Sequence, residues 1–383
     1  MNNQHSIIVA GGGIGGLTTA LALAKSGCKV TVYERSAEFL PVGAGLQLSA
    51  NALSVLDSLG ISLKQKGGIE IDKVEVRDGH SGSLISRIMT PAQFKTIVLS
   101  RADLHAVLLN EVNSTDNITV HQDARVVDVL GGKDVVSVKL ENGPMDSGDA
   151  LIGADGAWSQ TRRFVNTGRP EYTGRIAWRA IMPISAVPEG IARHTVTLWL
   201  APNSHLVTYP IANGTYFNAV AITQGNWQSE GWSMPGEMAD LALAFSNWNS
   251  SVQTMVQTTE GWLKWALCAI DPNLDWTKNR IALMGDAAHA MVPFMAQGAG
   301  MSIEDAWTLT HYVSRSSAKD LPEALSQYQQ NRQDRVAKVW ETSMRQGKIY
   351  HMSGMMRTAR NLAMQLGGPM TANRYNWIYD WRA

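Results

Sequence analysis

Apolar and polar positions fall into clear periods along this chain. Residues 6–10, SIIVA, are a continuous apolar run of strand length, and LTTALALAKSG after GGGIGG repeats its apolar positions at helical spacing up to Gly27, a candidate C-cap. Residues 29–35, KVTVYER, are β-branched and alternating, which predicts a second strand and a β-α-β unit with its glycines at the first turn. Strand-like alternation with turn signals covers 70–98, and SRADLHAVLLNEV then starts a helix with Ser100 as N-cap. Further strands are predicted near 118–121, 125–129, 135–140 and 150–155. From about 170 to 270 the alternation is of antiparallel type, as in HTVTLWL, HLVTYPI and TYFNAVAI, with one or two helices mixed in. RIALMGD (280–286) returns to a buried strand, and helical periodicity fills 297–315 and 320–346.

Dinucleotide-fold pieces thus flank antiparallel ones. The expected class is α/β: a discontinuous Rossmann-like nucleotide domain from 1–72, 97–172 and 270–345, an inserted mixed β-sheet substrate domain from 73–96 and 173–269, and a C-terminal helical segment, 346–383. No repeat or low-complexity linker interrupts it.

Composition narrows the partners. With 383 residues, 45% of them apolar, the chain can fill a substantial core, and Lys plus Arg equals Asp plus Glu at 33 each. No global field therefore favours nucleic acid or an anionic membrane, so a charged ligand must be read by local groups. Cys28 and Cys268 suggest no disulfide framework; no signal peptide is visible in MNNQHSIIVAGGG, and no apolar run reaches the ~20 residues of a spanning helix. A cytoplasmic protein is the expectation. Eight of the thirteen tryptophans lie between Trp178 and Trp276, which suits core packing or an aromatic-lined pocket for a flat substrate.

Gly11, Gly13 and Gly16 form G-x-G-x-x-G after a strand and at the opening of a helix beginning near Ile14. The first glycine permits the turn, the second lets a pyrophosphate approach backbone, and the third lets helix pack on strand. Glu34 ends the second strand at the spacing where a carboxylate meets a ribose 2′-OH and repels a 2′-phosphate, so the tightly held nucleotide is NAD-like or FAD. Arg35 reads equally as a solvated charge or an adenine contact. A second turn, MGDAAHAMVPFMAQGAGMSIEDAW (284–307), decides between the two. A plain NAD dehydrogenase has no use for it, whereas FAD is long. Asp286 can accept from ribityl hydroxyls, Pro293 and the turn Gly298-Ala299-Gly300 offer rigid backbone, and the helix beginning there directs N–H groups at a flavin edge.

GGGIGG…YER, ALIGADGAWSQTR and RIALMGDAAHAMVPFMAQGAGMSIEDA resemble, in order, the three fingerprints of the single-component FAD-dependent aromatic hydroxylases, the para-hydroxybenzoate hydroxylase fold, and most its salicylate and hydroxynicotinate hydroxylase branch. The resemblance reaches NWIYDW at 376–381. It implies bound FAD, with NADH or NADPH as transient co-substrate at a chain with no second dinucleotide motif, and calls for no metal. It assigns Asp155 and Gly156 to an Asp-Gly motif serving both cofactors, Arg101 to FAD, and Val126 to a backbone contact near the adenine; Arg162 reads equally as a surface charge. It implies reduction of FAD by NAD(P)H, addition of O₂ to give a C4a-hydroperoxide, and transfer of the distal OH to a small aromatic substrate.

That electrophile is weak, so a phenolic substrate needs a base. In WLAPNSHLVTYP, His205 and Tyr209 are four apart on a strand and share a face, and the matching residues of relatives sit at the substrate hydroxyl. His205 as a base competes with a histidine merely satisfied at a domain edge. Gln297 is expected to hydrogen-bond substrate and Pro293 to shape the space by its carbonyl. His289 reads as structural, between two flavin contacts. Gln47 of GAGLQLSAN stands where some hydroxynicotinate-type relatives carry histidine; glutamine takes no proton, which moves base duty to His205 and Tyr209. The alternatives are a larger quinolone or quinone-type substrate, or a flavin-binding redox sensor without turnover. The methionine-rich 350–368 suits helix packing over the cofactor domain, or the interface of a homodimer.

Overall fold

A computed structural model describes residues 5–38, 44–91, 93–228, 231–367 and 374–383. The first four residues, read above for a leader, and Gly368 at the end of the methionine-rich stretch lie outside these. The apolar run Ser6–Ala10 becomes the middle of a six-stranded sheet, flanked in parallel register by Lys29–Tyr33 and Ala150–Gly153. Ile118–His121 and Ile281–Leu283 extend it on either side, and only the edge pair Thr277–Lys278 runs antiparallel. Such central strands are buried on both faces, which is why they read as unbroken apolar runs. Helix Ile14–Lys25 packs between this sheet and helix Gly298–Val313, joining the two glycine-rich turns through one core.

The eight-stranded second sheet has the order Ser233–Pro235, Leu263–Ala269, Glu171–Pro183, Tyr216–Gln224, Ser204–Ile211, Val196–Ala201, Lys73–Asp78, Leu84–Met89. It is mixed, because Val196–Ala201 runs parallel to Lys73–Asp78 while its other neighbours are antiparallel. Helices Met238–Ala244 and Ser250–Thr258 cover one face. The other face looks at the cavity. Ser100 Oγ accepts from Ala102 N at 3.1 Å, capping helix Arg101–Asn113.

Two strands stop short of the expectation. The strand expected over 150–155 ends at Gly153 and the one over 280–286 at Leu283, because the chain then turns to place Asp155 on a loop and Asp286 at the start of a short helix, Asp286–His289. Helix Gly354–Leu366 also departs from expectation: it packs on Leu84–Met89, an edge strand of the second sheet, and leaves Met355 and Leu366 exposed.

A buried ionic cluster clamps the late turn. Arg332, fully buried in helix Leu321–Tyr350, bonds Glu304 and, through Nε at 2.8 Å, Asp305 Oδ1. Arg335 reaches Glu304 at 2.7 Å, and Asn51 Nδ2 donates to Glu304 Oε1 at 2.7 Å. Asp305 Oδ2 accepts from Gly285 N at 3.0 Å and lies 2.6 Å from His289 Nε2. Burial alone would raise the Asp305 pKa, yet His289 and Arg332 outweigh it and hold it down at about 2.

Candidate active site

A cavity of about 1180 Å³ runs from the early glycine turn to the face of the second sheet. Gly11 adopts φ 111°, and a Cβ there would stand 2.4 Å from Ala154 O. Gly16 is a packing glycine off the cavity wall: its Cβ would lie 1.9 Å from Gly11 O. Gly13 is different, since nothing lies within 4 Å of its Cβ position; with Ile14 it opens onto the cavity. Glu34 lines the same end, and its carboxylate accepts from Gly12 N at 2.7 Å and Ser36 N at 2.9 Å. His105 Nε2 donates to Gly12 O at 2.7 Å, bracing the turn from the opposite side. Exposed Arg35, with Arg101 and Val126, completes this end.

Asp155 lies between. Its Oδ2 accepts from Gln160 N, Thr161 N and Thr161 Oγ1, whereas the buried Oδ1 has no partner. Arg162 is no surface charge: it is buried, with Nε on Ala287 O at 2.8 Å and Nη2 on Ala157 O at 2.8 Å, so it ties the Asp-Gly turn to the late one. Across the cavity stand exposed Asp286, Pro293, Gly298 and Ala299, with open space at the Gly298 Cβ position and the N-terminus of helix Gly298–Val313 behind it. An elongated ligand fits these residues. Backbone donors wait at each end, glycines leave room at both, and carboxylates at Glu34 and Asp286 can accept from sugar-type hydroxyls.

Two residues expected here lie elsewhere. Gln297 is buried off the cavity wall, where its Oε1 accepts from Asn51 Nδ2 at 3.0 Å; neither it nor Gly300, whose Cβ would meet that Oε1 at 3.0 Å, lines the cavity. The helix start turns the amide into the ionic cluster. His289 is structural, buried on Asp305 and against the Trp276 ring.

The far wall is the second sheet. Register places His205 opposite Ile222, Val207 opposite Val220 and Tyr209 opposite Asn218, and next to these Ala177 and Arg179 pair with Ile222 and Val220. Directly paired residues share a face, so His205, Tyr209 and Arg179 all look into the cavity, with Gln47 nearby on the wall. His205 Nδ1 lies 2.7 Å from Nε2 of His351, the residue that ends helix Leu321–Tyr350. Burial, then the His351 and Arg175 charges, push the His205 pKa well down; burial, then Arg175 and Arg360, bring His351 to about 3. Burial pushes the Tyr209 phenol up, against the pull of Arg179. Its ring lies against Gly45, where a Cβ would meet it at 2.5 Å.

Of the eight clustered tryptophans, Trp178, Trp199, Trp248, Trp262 and Trp276 are core, while Trp232 and Trp265 line the cavity as an edge-to-face pair with centroids 4.7 Å apart. Sequence reasoning missed Arg179, His351, Gly45 and His105. A charged residue inside the buried alternation of AWRAIMP and a glycine inside the strand GLQLS were available signals for Arg179 and Gly45. Nothing local marks His351.

The family profile for an FAD-binding domain matches residues 4–343. The chain is 34% identical over 387 residues to 3-hydroxybenzoate 6-hydroxylase of Polaromonas naphthalenivorans strain CJ2, covering 98% of this chain and 96% of that one. It is 33% identical to a 3-amino-4-hydroxybenzoate 2-monooxygenase of Streptomyces platensis, over 100% of this chain and 97% of the relative. Among solved structures, a salicylate hydroxylase in its substrate complex superposes with a TM-score of 0.86 at 26% identity, covering 99% and 96% of the two chains.

Proposed function

This chain belongs to the FAD-dependent aromatic hydroxylases, and from that premise we propose that His205 and Tyr209 activate a phenolic substrate on the sheet wall of the cavity. The protein is an FAD-dependent aromatic monooxygenase with NAD(P)H as reductant. FAD, when bound, would supply the redox chemistry, hydride acceptance from NAD(P)H and activation of O₂, while the residues of this chain hold it and position the substrate. Gly11, Gly12 and Gly13 would hold its diphosphate, with Gly16 keeping the helix close and Ile14 at its start. Glu34 would meet the adenine-side ribose and Asp286 the ribityl chain. Arg35, Arg101, Val126, Gln47 and Asp155 would line its path, and Pro293, Gly298 and Ala299 would offer backbone to the flavin end. Residues 1–72, 97–172 and 270–345 then serve the cofactor and 73–96 and 173–269 the substrate, with His351 of the C-terminal segment reaching His205.

The His205–His351 bond carries the reading of the base. A single proton lies between the two rings. When it sits on His205 Nδ1 and points to His351, the neutral His205 ring leaves its Nε2 as an acceptor for the substrate O–H. Since both imidazoles resist charge, the pair holds the phenolic proton only in passing: uptake at His205 Nε2 is matched by release from its Nδ1 to His351 Nε2, and His351 in turn sheds the proton on its own Nδ1 to solvent. Tyr209, kept neutral, donates to the developing phenolate. Free thiols at Cys28 and Cys268, and the absence of a helix long and apolar enough to cross a membrane among the described residues, suit work in the cytoplasm.

The test is to purify the yellow protein and screen phenols and hydroxybenzoates for accelerated NADH and NADPH oxidation, O₂ uptake and hydroxylated product. Flavin without substrate-stimulated oxidation would support the redox sensor instead. A His205→Ala variant with full rate and coupling would remove His205 from the chemistry.

A further inference from the structure

Arg360, buried on helix Gly354–Leu366, is a cation with no carboxylate bonded to it among the described residues. Buried charges are normally paired. Its donors go instead to neutral oxygens: Nη1 to Tyr350 O at 2.6 Å and Ile349 O at 3.2 Å, Nε and Nη2 to Asn361 Oδ1 at 3.0 and 2.8 Å. Those two carbonyls close helix Leu321–Tyr350, and the next residue is His351. Beside Arg360 the helix is fastened to the second sheet. Arg357 Nη2 bonds Asp78 Oδ2 at 2.6 Å, and Met364 packs on the cluster of Val76, Ile85, Leu198 and Leu200.

The end of a long helix is a negative pole, and its last carbonyls favour the protonated form of an imidazole beside them. His351 sits at that pole. It still has to receive a proton from His205 Nδ1, 2.7 Å from its Nε2, which a ring already protonated on both nitrogens cannot do. We propose that Arg360 is a positioning residue for this pair: by taking the Ile349 and Tyr350 carbonyls it fixes the helix end that aims His351 at His205 and cancels the pole that would otherwise charge the ring. This rests on the reading of His205 and His351 as the base pair. The groups that face His351 fit such a role. His205 stacks on it with centroids 4.9 Å apart, uncharged Phe294 meets it edge-on, and Asn203 N donates to its carbonyl at 3.3 Å. The charged groups acting on it are Arg175 and Arg360, both cations, and together with burial they hold it neutral. Arg175 donates to Asn203 O at 2.8 Å, so of the two it is Arg360 that is bonded to the helix ending at His351. Burial and then Arg357 lower the Arg360 pKa only to about 10, which leaves it charged at neutral pH.

The experiment uses the FAD-loaded enzyme as wild type, R360M, R360K and M364A, the last loosening the same helix without touching charge. With 3-hydroxybenzoate as the phenol, R360M should lose on the order of tenfold in kcat at pH ~8, where placement alone is at stake, and more at pH ~5.5. KM, flavin content and the rate of flavin reduction should not change. In histidine-labelled protein the His351 resonance, assigned by its loss from H351Q, should titrate about one pH unit or more higher in R360M than in wild type. R360K keeps the charge on a single head group, so it should restore the ratio of kcat at the two pH values and recover only part of kcat itself. An unmoved His351 midpoint, an R360M profile parallel to wild type, or an M364A profile that matches R360M would each overturn the assignment. Should R360M fail to fold, R360K decides: reduced kcat at an unchanged ratio supports Arg360, and full kcat or an altered ratio refutes it. H205A at full rate would sink the base-pair reading alone; a His351 midpoint that then still moves in R360M supports Arg360, and one that does not refutes it.

Discussion

The two ends of the cavity are built on opposite plans. At the glycine end, the recognition surface is backbone: Gly11 to Gly13 line the cavity at the start of helix Ile14–Lys25, Glu34 and His105 brace Gly12 from either side, and residues within about one β-α-β unit do nearly all the work. At the sheet end it is side chain. His205, Tyr209, Arg179, Trp265 and His351 come from four separate strands or helices and meet only because register and helix packing bring them together. The first plan suits a cofactor shared across a family, and the second can be re-specified one side chain at a time without disturbing the first.

If that contrast is right, substitutions should sort by end. The largest effect is expected at Gly16: a Cβ facing Gly11 O at 1.9 Å meets backbone that cannot yield, so Gly16→Ala should purify colourless or insoluble, read by the flavin-to-protein absorbance ratio. Next is the clamp between the ends. Arg332→Met removes the cation shared by two buried carboxylates, leaving Glu304 to Arg335 and Asp305 to His289, and should cost about 3–5 kcal/mol of stability, seen in denaturant titration. At the sheet end, His205→Asn should keep its flavin and lower kcat by roughly 10²–10⁴-fold in stopped-flow turnover of a phenolic substrate. A colourless His205→Asn protein would break the comparison.

His351 sharpens it with a smaller effect. Its pKa falls from the ordinary histidine value to about 3 on folding. Below pH ~6.5 the unfolded chain binds a proton that the folded one refuses. Stability should therefore be complete above that pH and fall by up to ~1.4 kcal/mol per unit as pH drops toward 3. His351→Gln should flatten that slope in thermal melts across pH, while slowing phenol turnover more than flavin reduction.

The same contrast explains how much could be read from the chain alone. The places of Gly11, Gly13, Gly16, Glu34 and Ser100 in the turn, at the strand end and at the helix cap were legible because they follow from position relative to the next strand or helix, a local matter of a few residues. Asp286 was legible for the same reason, sitting just past a buried strand. His351 was not, since pairing His205 with a residue 146 positions away depends on where a 30-residue helix ends in space. Gln297 shows the limit of a turn motif: the sequence places it beside the cofactor turn, but the buried demand of Asn51 and Glu304 draws its amide inward. The tryptophans divided between both readings because core and cavity wall are opposite faces of one sheet, and alternation alone does not say which face is lined.

His351 also lies eight positions past residue 343, where the FAD-binding match ends, and well outside the inserted stretch 173–269. A chimera that swaps only that stretch between relatives would import the imidazole facing the cavity and leave its hydrogen-bonded companion behind. Ring preference and acid–base competence are thus inherited on separate lengths of chain, and an engineer who wishes to move one must carry the tail of the long helix along with it.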